Sequence, residues 1–500
     1  MQKHLIIVGA GIAGLSAGIY ARRNGYRTTI FDMHDIPGGL CTAWKRKGYN
    51  FDISMHMLTG SVNGPFHEMW EELGITQKFT FHFHDHMALV EGMGKQLLLS
   101  TDRKKFESAL LSLSPEDAGL IREFTRLVFG PDMMKAASLK PKEVKTFTDK
   151  IREFSAILPL MRTFGKYKGL TVQEFAERFK DPFLRQAIRF FIDSPGWPMD
   201  QFPMVALAGF VRSSVTEAGA PRGGSQQVVF HMADLYRELG GAMQLKSKVS
   251  NLVIENERVT GIELEDGSAH TADEVIWAGD AHTLIYEILE GKYISEEIAG
   301  MYEKWIPVQP ILHVMMGVNM DLSGHPHSTV FEADKPITIA GKEHRWLSML
   351  HHCFDPTMAP KGKSAVEVWY ATSFEYWQDL YKNRSAYKAE KKRIAEYTIQ
   401  QVDKKISGFS ARLEVLDVPT PATYYRYTGN WKGSPDGWYI TPDNMRMQEP
   451  QRTLPGLEGL RMVGQWTAPF TGTVIAALTG RQVIQLMCRE EGRAFRGTAS

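Results

Sequence analysis

Three cysteines in 500 residues, none in a Cys-x-x-Cys arrangement, leave the chain without a disulfide framework. Cys41, Cys353 and Cys488 form an odd, scattered set. That is the pattern of a reduced chain, and it predicts a cytoplasmic location. No charge of one sign dominates: 58 Lys and Arg stand against 57 Asp and Glu, for a net charge of +1. Such a balance argues against whole-surface attraction to nucleic acid, so no nucleic-acid partner is expected. No apolar run reaches the ~18 residues of a membrane span. The most apolar stretch, residues 5–19, carries four glycines and no small-residue cleavage site, so it reads as part of the fold and not as a targeting segment. Low-complexity tracts and 20–50-residue repeats are also missing. So are Ser-His-Asp, His-Glu-x-x-His and P-loop patterns. No hydrolytic nucleophile and no metal centre are expected.

What the chain does have is an ordinary globular composition, 43% hydrophobic and 23% charged. Its length suggests roughly three domains' worth of chain. Residues 4–8 form a short apolar run ending in glycine, residues 12–24 have helical character, and residues 27–31 read as a second strand. Gly9-Ala10-Gly11-Ile12-Ala13-Gly14 lies at the first strand–helix junction, and Asp32 stands at the end of the second strand. Gly9 allows a tight turn, Gly11 lets backbone approach a pyrophosphate, and Gly14 lets the helix pack closely. Ile12 and Ala13 open the helix, whose free N–H groups favour phosphate. Asp32 is positioned to accept hydrogen bonds from ribose hydroxyls.

Two more segments look like parts of the same nucleotide site. One is a hairpin, residues 244–254 with 258–264, followed by a strand at 273–278, with Val249 presenting backbone to an adenine and Ala278 at the strand end. The other is the strand 459–464 with Gly464, Gln465 and Trp466, then Gly472, Thr473 and Val474 opening a helix. Its small residues Ala476, Ala477 and Gly480 admit a flat ligand, and its positive end favours negative charge on a reduced flavin. An NAD domain usually completes itself in one stretch. Three distant segments point instead to a longer dinucleotide, FAD, with no His or Cys attachment motif and hence non-covalent binding.

Residues 115–215 read as mainly helical, with Ser114-Pro115 starting one helix and a Thr171–Glu174 capping box starting another that runs to about residue 192. Residues 308–318, 345–353 and 364–372 suggest a second sheet.

These blocks resemble the two-dinucleotide-binding-domain flavoproteins, and within them the phytoene desaturase, carotenoid isomerase and retinol saturase branch. The resemblance rests on the glycine motif at 9–14, Pro37-Gly38-Gly39 with Gly48-Tyr49-Asn50-Phe51-Asp52, Pro221-Arg222-Gly223-Gly224, Phe354-Asp355-Pro356, Arg426–Asn430 and Gly464 to the C-terminus. It implies an α/β fold: a discontinuous Rossmann-like FAD-binding domain (residues 1–75, 216–285 and 456–500), a β-sheet substrate domain (76–114 and 286–455) and a helical insertion (115–215). It also places Gly38, Gly39, Leu40, Met55 and His56 along the cofactor. The desaturases carry Gly-Pro after Phe-Asp, whereas this chain has Ile53-Ser54-Met55-His56. His56 and Cys41 are more similar to the retinol-saturase side. Where a glycine run is usual, the C-terminal loop reads Pro469-Phe470-Thr471-Gly472. His56 is the catalytic candidate, an imidazole expected to titrate near neutrality beside the flavin.

The implied activity is FAD-dependent making, removal or redox-assisted isomerisation of C=C bonds in an apolar isoprenoid or polyene, with an unassigned electron acceptor. The alternatives are an amine or amino-acid oxidase and a flavin-binding partner protein without turnover. Residues 135–168 hold nine Lys or Arg against three acids, with apolar residues interleaved. They read either as a peripheral surface for anionic lipid, where an apolar substrate enters, or as a solvated helix face. His82, His84 and His86 read as a solvated strand face, and His351-His352-Cys353 as sheet sequence. Trp369, Tyr370, Tyr376, Trp377, Tyr424, Tyr425 and Trp466 are candidates for a tunnel wall or for core.

Overall fold

The computed structural model describes residues 2–130, 137–191, 199–446, 451–469 and 472–498. Its first sheet is parallel, with strands in the order Leu460–Met462, Glu274–Trp277, His4–Val8, Arg27–Phe31 and Ala242–Gln244. Leu5 to Val8 are all buried, as expected for a parallel strand covered on both faces. The helix Ile12–Arg23 covers one face, packed between the helices Gly224–Glu238 and Thr473–Glu490. Close approach is possible because Gly480 has no side chain: a Cβ there would stand 2.5 Å from the Ala13 carbonyl oxygen.

The hairpin differs from the expected one. The residues read as one strand, 244–254, split at Lys246, whose φ is +56°. Ala242–Gln244 joins the parallel sheet beside Arg27–Phe31, and Val249–Glu255 pairs antiparallel with Arg258–Leu264. The third strand of that small sheet is Ala269–Thr271, whereas Glu274–Trp277 belongs to the parallel sheet.

The second sheet has seven strands, in the order Leu413–Asp417, Ile311–Val318, Ser364–Ala371, Lys342–His351, Ser328–Ile339, His86–Gly92 and Lys95–Ser100. One face, carrying Leu312, Val314, Val366, Val368 and Tyr370, packs with side chains of the helices Phe374–Lys382 and Arg384–Lys405. The opposite face carries His313, Met315, Glu367 and Trp369. Helices between residues 103 and 216 pack against the far end of this sheet through Ala88, Val90, Leu97, Leu99 and Val330.

The Thr171 capping box forms, with Glu174 reaching back, but its helix ends at Ala176. Asp181 and Pro182 then start a separate helix, Pro182–Arg189, because proline suits a first turn and breaks a helix interior. The expected end near residue 192 lies outside the described residues. Ser114 makes no cap to backbone; its hydroxyl donates to Asp117 Oδ2 at 2.8 Å, and Pro115–Asp117 is a 3₁₀ turn ahead of the helix Ala118–Val128.

Candidate cofactor and substrate site

A cleft of about 660 Å³ runs along the carboxyl ends of the parallel strands. This is where open α/β sheets bind ligands. Of the residues singled out in the sequence, Gly9, Gly11, Ile12, Ala13, Asp32, Gly38, Gly39, Leu40, Val249, Ala278, Gly464, Gln465, Gly472 and Thr473 line it. Gly14, Met55, His56 and Val474 do not. Gly14 lies behind the turn, where a Cβ would stand 1.9 Å from the Gly9 carbonyl oxygen. Met55 and Val474 are buried, Met55 with a φ of +55°. Phe470 and Thr471 lie outside the described residues.

The cleft wall is backbone-rich where phosphate would be expected. Gly9 has a φ of +106°, and Gly38 of +138°, both poorly open to other residues. The Gly38 N–H donates to the Ala10 carbonyl at 3.0 Å, which lays residues 38–39 beside Gly11. A Cβ on Gly11 would meet protein only at 4.0 Å, so that position faces open cleft. Two helices point their N-termini here, Ile12–Arg23 after Gly11 and Thr473–Glu490 after Gly472, and neither has a side-chain cap. Among the described residues no partner meets the N–H groups of Ile12, Ala13 and Thr473, which leaves them for an anionic ligand, whereas the Ile475 N–H donates to the Gly472 carbonyl. Asp32 accepts N–H bonds from Ala10 at 2.6 Å and from His34 at 2.8 Å, and burial raises its pKa. Cys41 also lines the cleft, but burial pushes its thiol up to about 12.

Trp44, Ile53, Ser54 and Tyr424 also line the wall. Tyr425 and Trp466 line it too, whereas Tyr370 and Trp377 are wholly buried core. His56 sits two residues beyond Ser54, its ring 4.7 Å from that of Trp369 and 6.2 Å from that of His352. Burial, then the neighbouring His352, pushes its pKa down to about 3. His56 is therefore neutral at physiological pH, and the expectation that it titrates near neutrality is corrected. Burial also pulls His352 down, but hydrogen bonding and charge from Glu367 outweigh it and hold that imidazole above its usual value.

The other histidines also depart from the sequence reading. His84 is not on a solvated face; its ring stacks on His327 at 3.5 Å, and burial lowers it to about 3. The strand Phe81–His82 stops short of it, and His86 begins the next strand. His351 ends a strand, but His352 leaves the sheet to face Glu367 at 3.5 Å.

Several site contacts carried no local signal. Asp52 holds Ser225, Asp355 accepts the Gly223 N–H at 2.6 Å, Asp436 accepts the Gly472 N–H at 3.1 Å, and Tyr424 bonds His313 at 2.9 Å. The quoted family blocks contain Asp52, Gly223 and Asp355, but nothing in them pairs these residues.

A model of the flavin-containing amine oxidoreductase family matches residues 12–483. The chain belongs to that family. It is an FAD-dependent oxidoreductase, and the fit of the cleft is that of a dinucleotide: backbone glycines, two helix N-termini and an acid at the second strand's end. The chain is 24% identical over 503 residues to the chloroplastic prolycopene isomerase of Daucus carota, covering 95% of this chain and 78% of that protein. It is also 24% identical over 532 residues to the neurosporene-forming phytoene desaturase of Rhodobacter capsulatus, covering 96% and 93%. Among solved structures, an oxidoreductase from Methanosarcina mazei superposes with a TM-score of 0.64 at 16% identity, covering 96% of this chain and all of that one. A putrescine oxidase variant superposes with a TM-score of 0.62 at 13% identity, covering 98% and 99%, a likeness of fold.

Proposed function

We propose that this enzyme makes, removes or isomerises C=C bonds in an apolar polyene or isoprenoid. The observation that carries the reading is the similarity to prolycopene isomerase and phytoene desaturase along 95% or more of the chain. Bound FAD supplies the two-electron chemistry, exchanging hydride with a substrate carbon. The protein's share is positioning. In this reading Gly11, Gly38, Gly39 and the first turn after Gly472 hold the phosphates and flavin, Asp32 with Val249 holds the adenosine end, and Ala278, Gly464 and Gln465 form the floor. Gly14, Met55 and Val474 support that wall from behind. His56 is assigned to hydrogen bonding on the substrate side and not to proton carriage, since a group with so low a pKa is a poor base near pH 7. The retinol-saturase-like features, His56 and Cys41, belong to the same end.

The division into a three-segment FAD domain, a sheet domain and a helical insertion is adopted here. Free thiols at Cys41, Cys353 and Cys488 support a reducing, cytoplasmic setting. No helix among the described residues is long and apolar enough to cross a membrane. Peripheral contact is assigned to the helix Phe147–Ile157 and the turn after it. That helix buries none of its side chains, and Phe147, Ile151, Phe154, Leu158 and Met161 are all exposed. Phe147, Ile151 and Phe154, spaced by four and three residues, share one face of the helix, and Leu158 and Met161 follow in the 3₁₀ turn and at the start of the next helix. Two of the segment's three acids are already paired, Asp149 with Lys140 and Glu153 with Lys145. A basic, apolar-faced helix is suited to an anionic lipid surface. Lys135, counted in the basic run, lies outside the described residues.

The test is anaerobic flavin bleaching or reoxidation in the FAD-loaded protein with conjugated polyenes and with primary amines of matched size. Spectral change with polyenes alone supports the reading. Change with amines alone supports an amine oxidase, and no change with either supports a binding protein without turnover.

A further inference from the structure

The sheet face turned toward residues 53–57 is more polar than a hydrocarbon ligand requires. His313 and Trp369 are directly opposite each other on neighbouring strands, their rings parallel within 19° and 5.0 Å apart. Outward, His313 Nδ1 bonds the Tyr424 hydroxyl, and Tyr424 lines the cleft. Inward, the Trp369 indole N–H donates to Glu367 at 3.2 Å, and Glu367 faces His352. His56 leans on Trp369 and closes the group.

Burial of these groups is costly, and their bonding is incomplete. His313 Nε2 is sealed without a hydrogen bond, while His352 Nε2 and Glu367 Oε1 have only each other, at 3.5 Å. Buried polar atoms are normally satisfied, and a pure hydrocarbon offers them nothing in return. His56 is different. Among the described residues no protein hydrogen bond reaches its ring nitrogens, yet the ring keeps accessible surface. A neutral imidazole presents one donor and one acceptor, which matches a hydroxyl fully and a carbonyl by its donor.

We propose that this polar face receives an oxygen-bearing end of the substrate, a hydroxyl or carbonyl, and that His56 is the residue that hydrogen-bonds it. The proposal rests on the polyene reading above and narrows it from hydrocarbons to oxygenated polyenes. His352 and Glu367 act as positioning residues beside His56: burial, and then His352, keep it neutral against the opposing pull of Glu367, so it is ready to bond a neutral oxygen. Trp369 supplies the flat surface against which the imidazole is held.

The experiment uses FAD-loaded protein in detergent and two conjugated polyenes that differ only at one end, a primary alcohol or a methyl group. Dissociation constants come from flavin absorbance shifts and tryptophan quenching, without turnover. In the wild type the alcohol should bind roughly tenfold or more tightly, because a site built for a hydroxyl discriminates against the analogue lacking it. His56→Phe keeps a flat ring but no polar atom, and it should bring the ratio close to one. His56→Gln keeps a donor and an acceptor, and it should retain part of the preference. FAD content measured on each variant separates a misfolded protein from a changed preference.

Equal affinities in the wild type would overturn the end-group proposal and leave the polyene reading standing. A preference that survives His56→Phe would overturn the role of His56. Binding of neither polyene, with no flavin response to either, would remove the polyene reading and the proposal with it.

Discussion

The Asp52 carboxylate accepts the backbone N–H of Ser225 at 2.5 Å, across 173 residues of chain. It also accepts the Ser225 hydroxyl, while Asp355 takes the Gly223 N–H. Two acids from distant segments thus satisfy the start of the helix Gly224–Glu238. A Cβ on Gly224 would stand 2.3 Å from an Asp52 oxygen, so the glycine is required for the contact. Three blocks of the family pattern are one structural joint.

Asp52→Ala should therefore destabilise the fold by about 2 kcal/mol, since it leaves a buried N–H without a partner at a helix start. Ser225→Ala should cost less, because the backbone bond survives. Denaturant titrations of both variants check the order. Equal losses would show that the hydroxyl, not the backbone N–H, carries the joint.

That joint also marks the limit of what could be read from sequence. The strand–glycine–helix unit at residues 4–31 was legible because each signal is local: an apolar run, glycines at fixed spacing and an acid at the next strand's end. The strand Ser328–Ile339 was not, because Asp334-Lys335-Pro336 interrupts its alternation. In the structure that tripeptide sits in a register shift between Glu332 and Ile337, where a proline in a sheet is tolerated. The half-burial of His84 against the distant His327 and the stacking of His313 on Trp369 of a neighbouring strand depend on tertiary partners, and periodicity carries no trace of them. Lys246 hid its strand break, since a positive φ at lysine has no sequence signature.

Gly11→Val should abolish FAD retention while leaving the fold intact. The backbone at Gly11 has φ −73° and ψ 177°, which valine adopts without strain, and the side chain would enter open cleft. Flavin content falls to background, and the melting temperature of the variant matches that of FAD-free wild type. Gly14→Val should behave differently and fail to fold, because its Cβ would collide with Gly9. Full flavin content in Gly11→Val would show that this turn does not meet the cofactor.

Stability should fall steadily as pH drops from about 6.5 toward 4. Burial holds His56, His84 and His313 down to about 3, and His344 and His351 down to about 4, against an unfolded value near 6.5. In that window the unfolded chain takes up protons that the folded chain refuses, so acid favours unfolding. Asp52 and Asp280 work in the opposite sense, because burial raises both to about 6 and the folded state binds their protons more tightly. Asp32 and His352 are raised as well, but His327, His4, His82, His231 and His282 join the lowered histidines, which outnumber the raised groups. Urea midpoints measured at pH 7, 6 and 5 should decline in that order; a rise toward pH 5 would mean that the carboxylates dominate.

Co-sedimentation with liposomes should increase with the anionic lipid fraction and decrease with salt. Replacing Ile151, Phe154 and Leu158 together by serine should abolish it while leaving flavin content unchanged, since none of the three is buried. Binding that is indifferent to lipid charge, or that survives the triple replacement, would assign the helix Phe147–Ile157 to plain solvent.

The order of the parallel sheet has a consequence in time. The strand His4–Val8 and its glycine turn are synthesised before the other strands of that sheet, whereas Leu460–Met462 and the helix Thr473–Glu490, which packs on Ile12–Arg23, follow more than four hundred residues later. At roughly 5–20 residues per second, that interval lasts on the order of 20–90 s. Throughout it the Gly9–Gly14 turn has no Gly464 opposite it and no Gly480 against its helix. FAD capture is therefore a late event, and a nascent chain short of residue 490 has to be kept from aggregating by something other than its own cofactor.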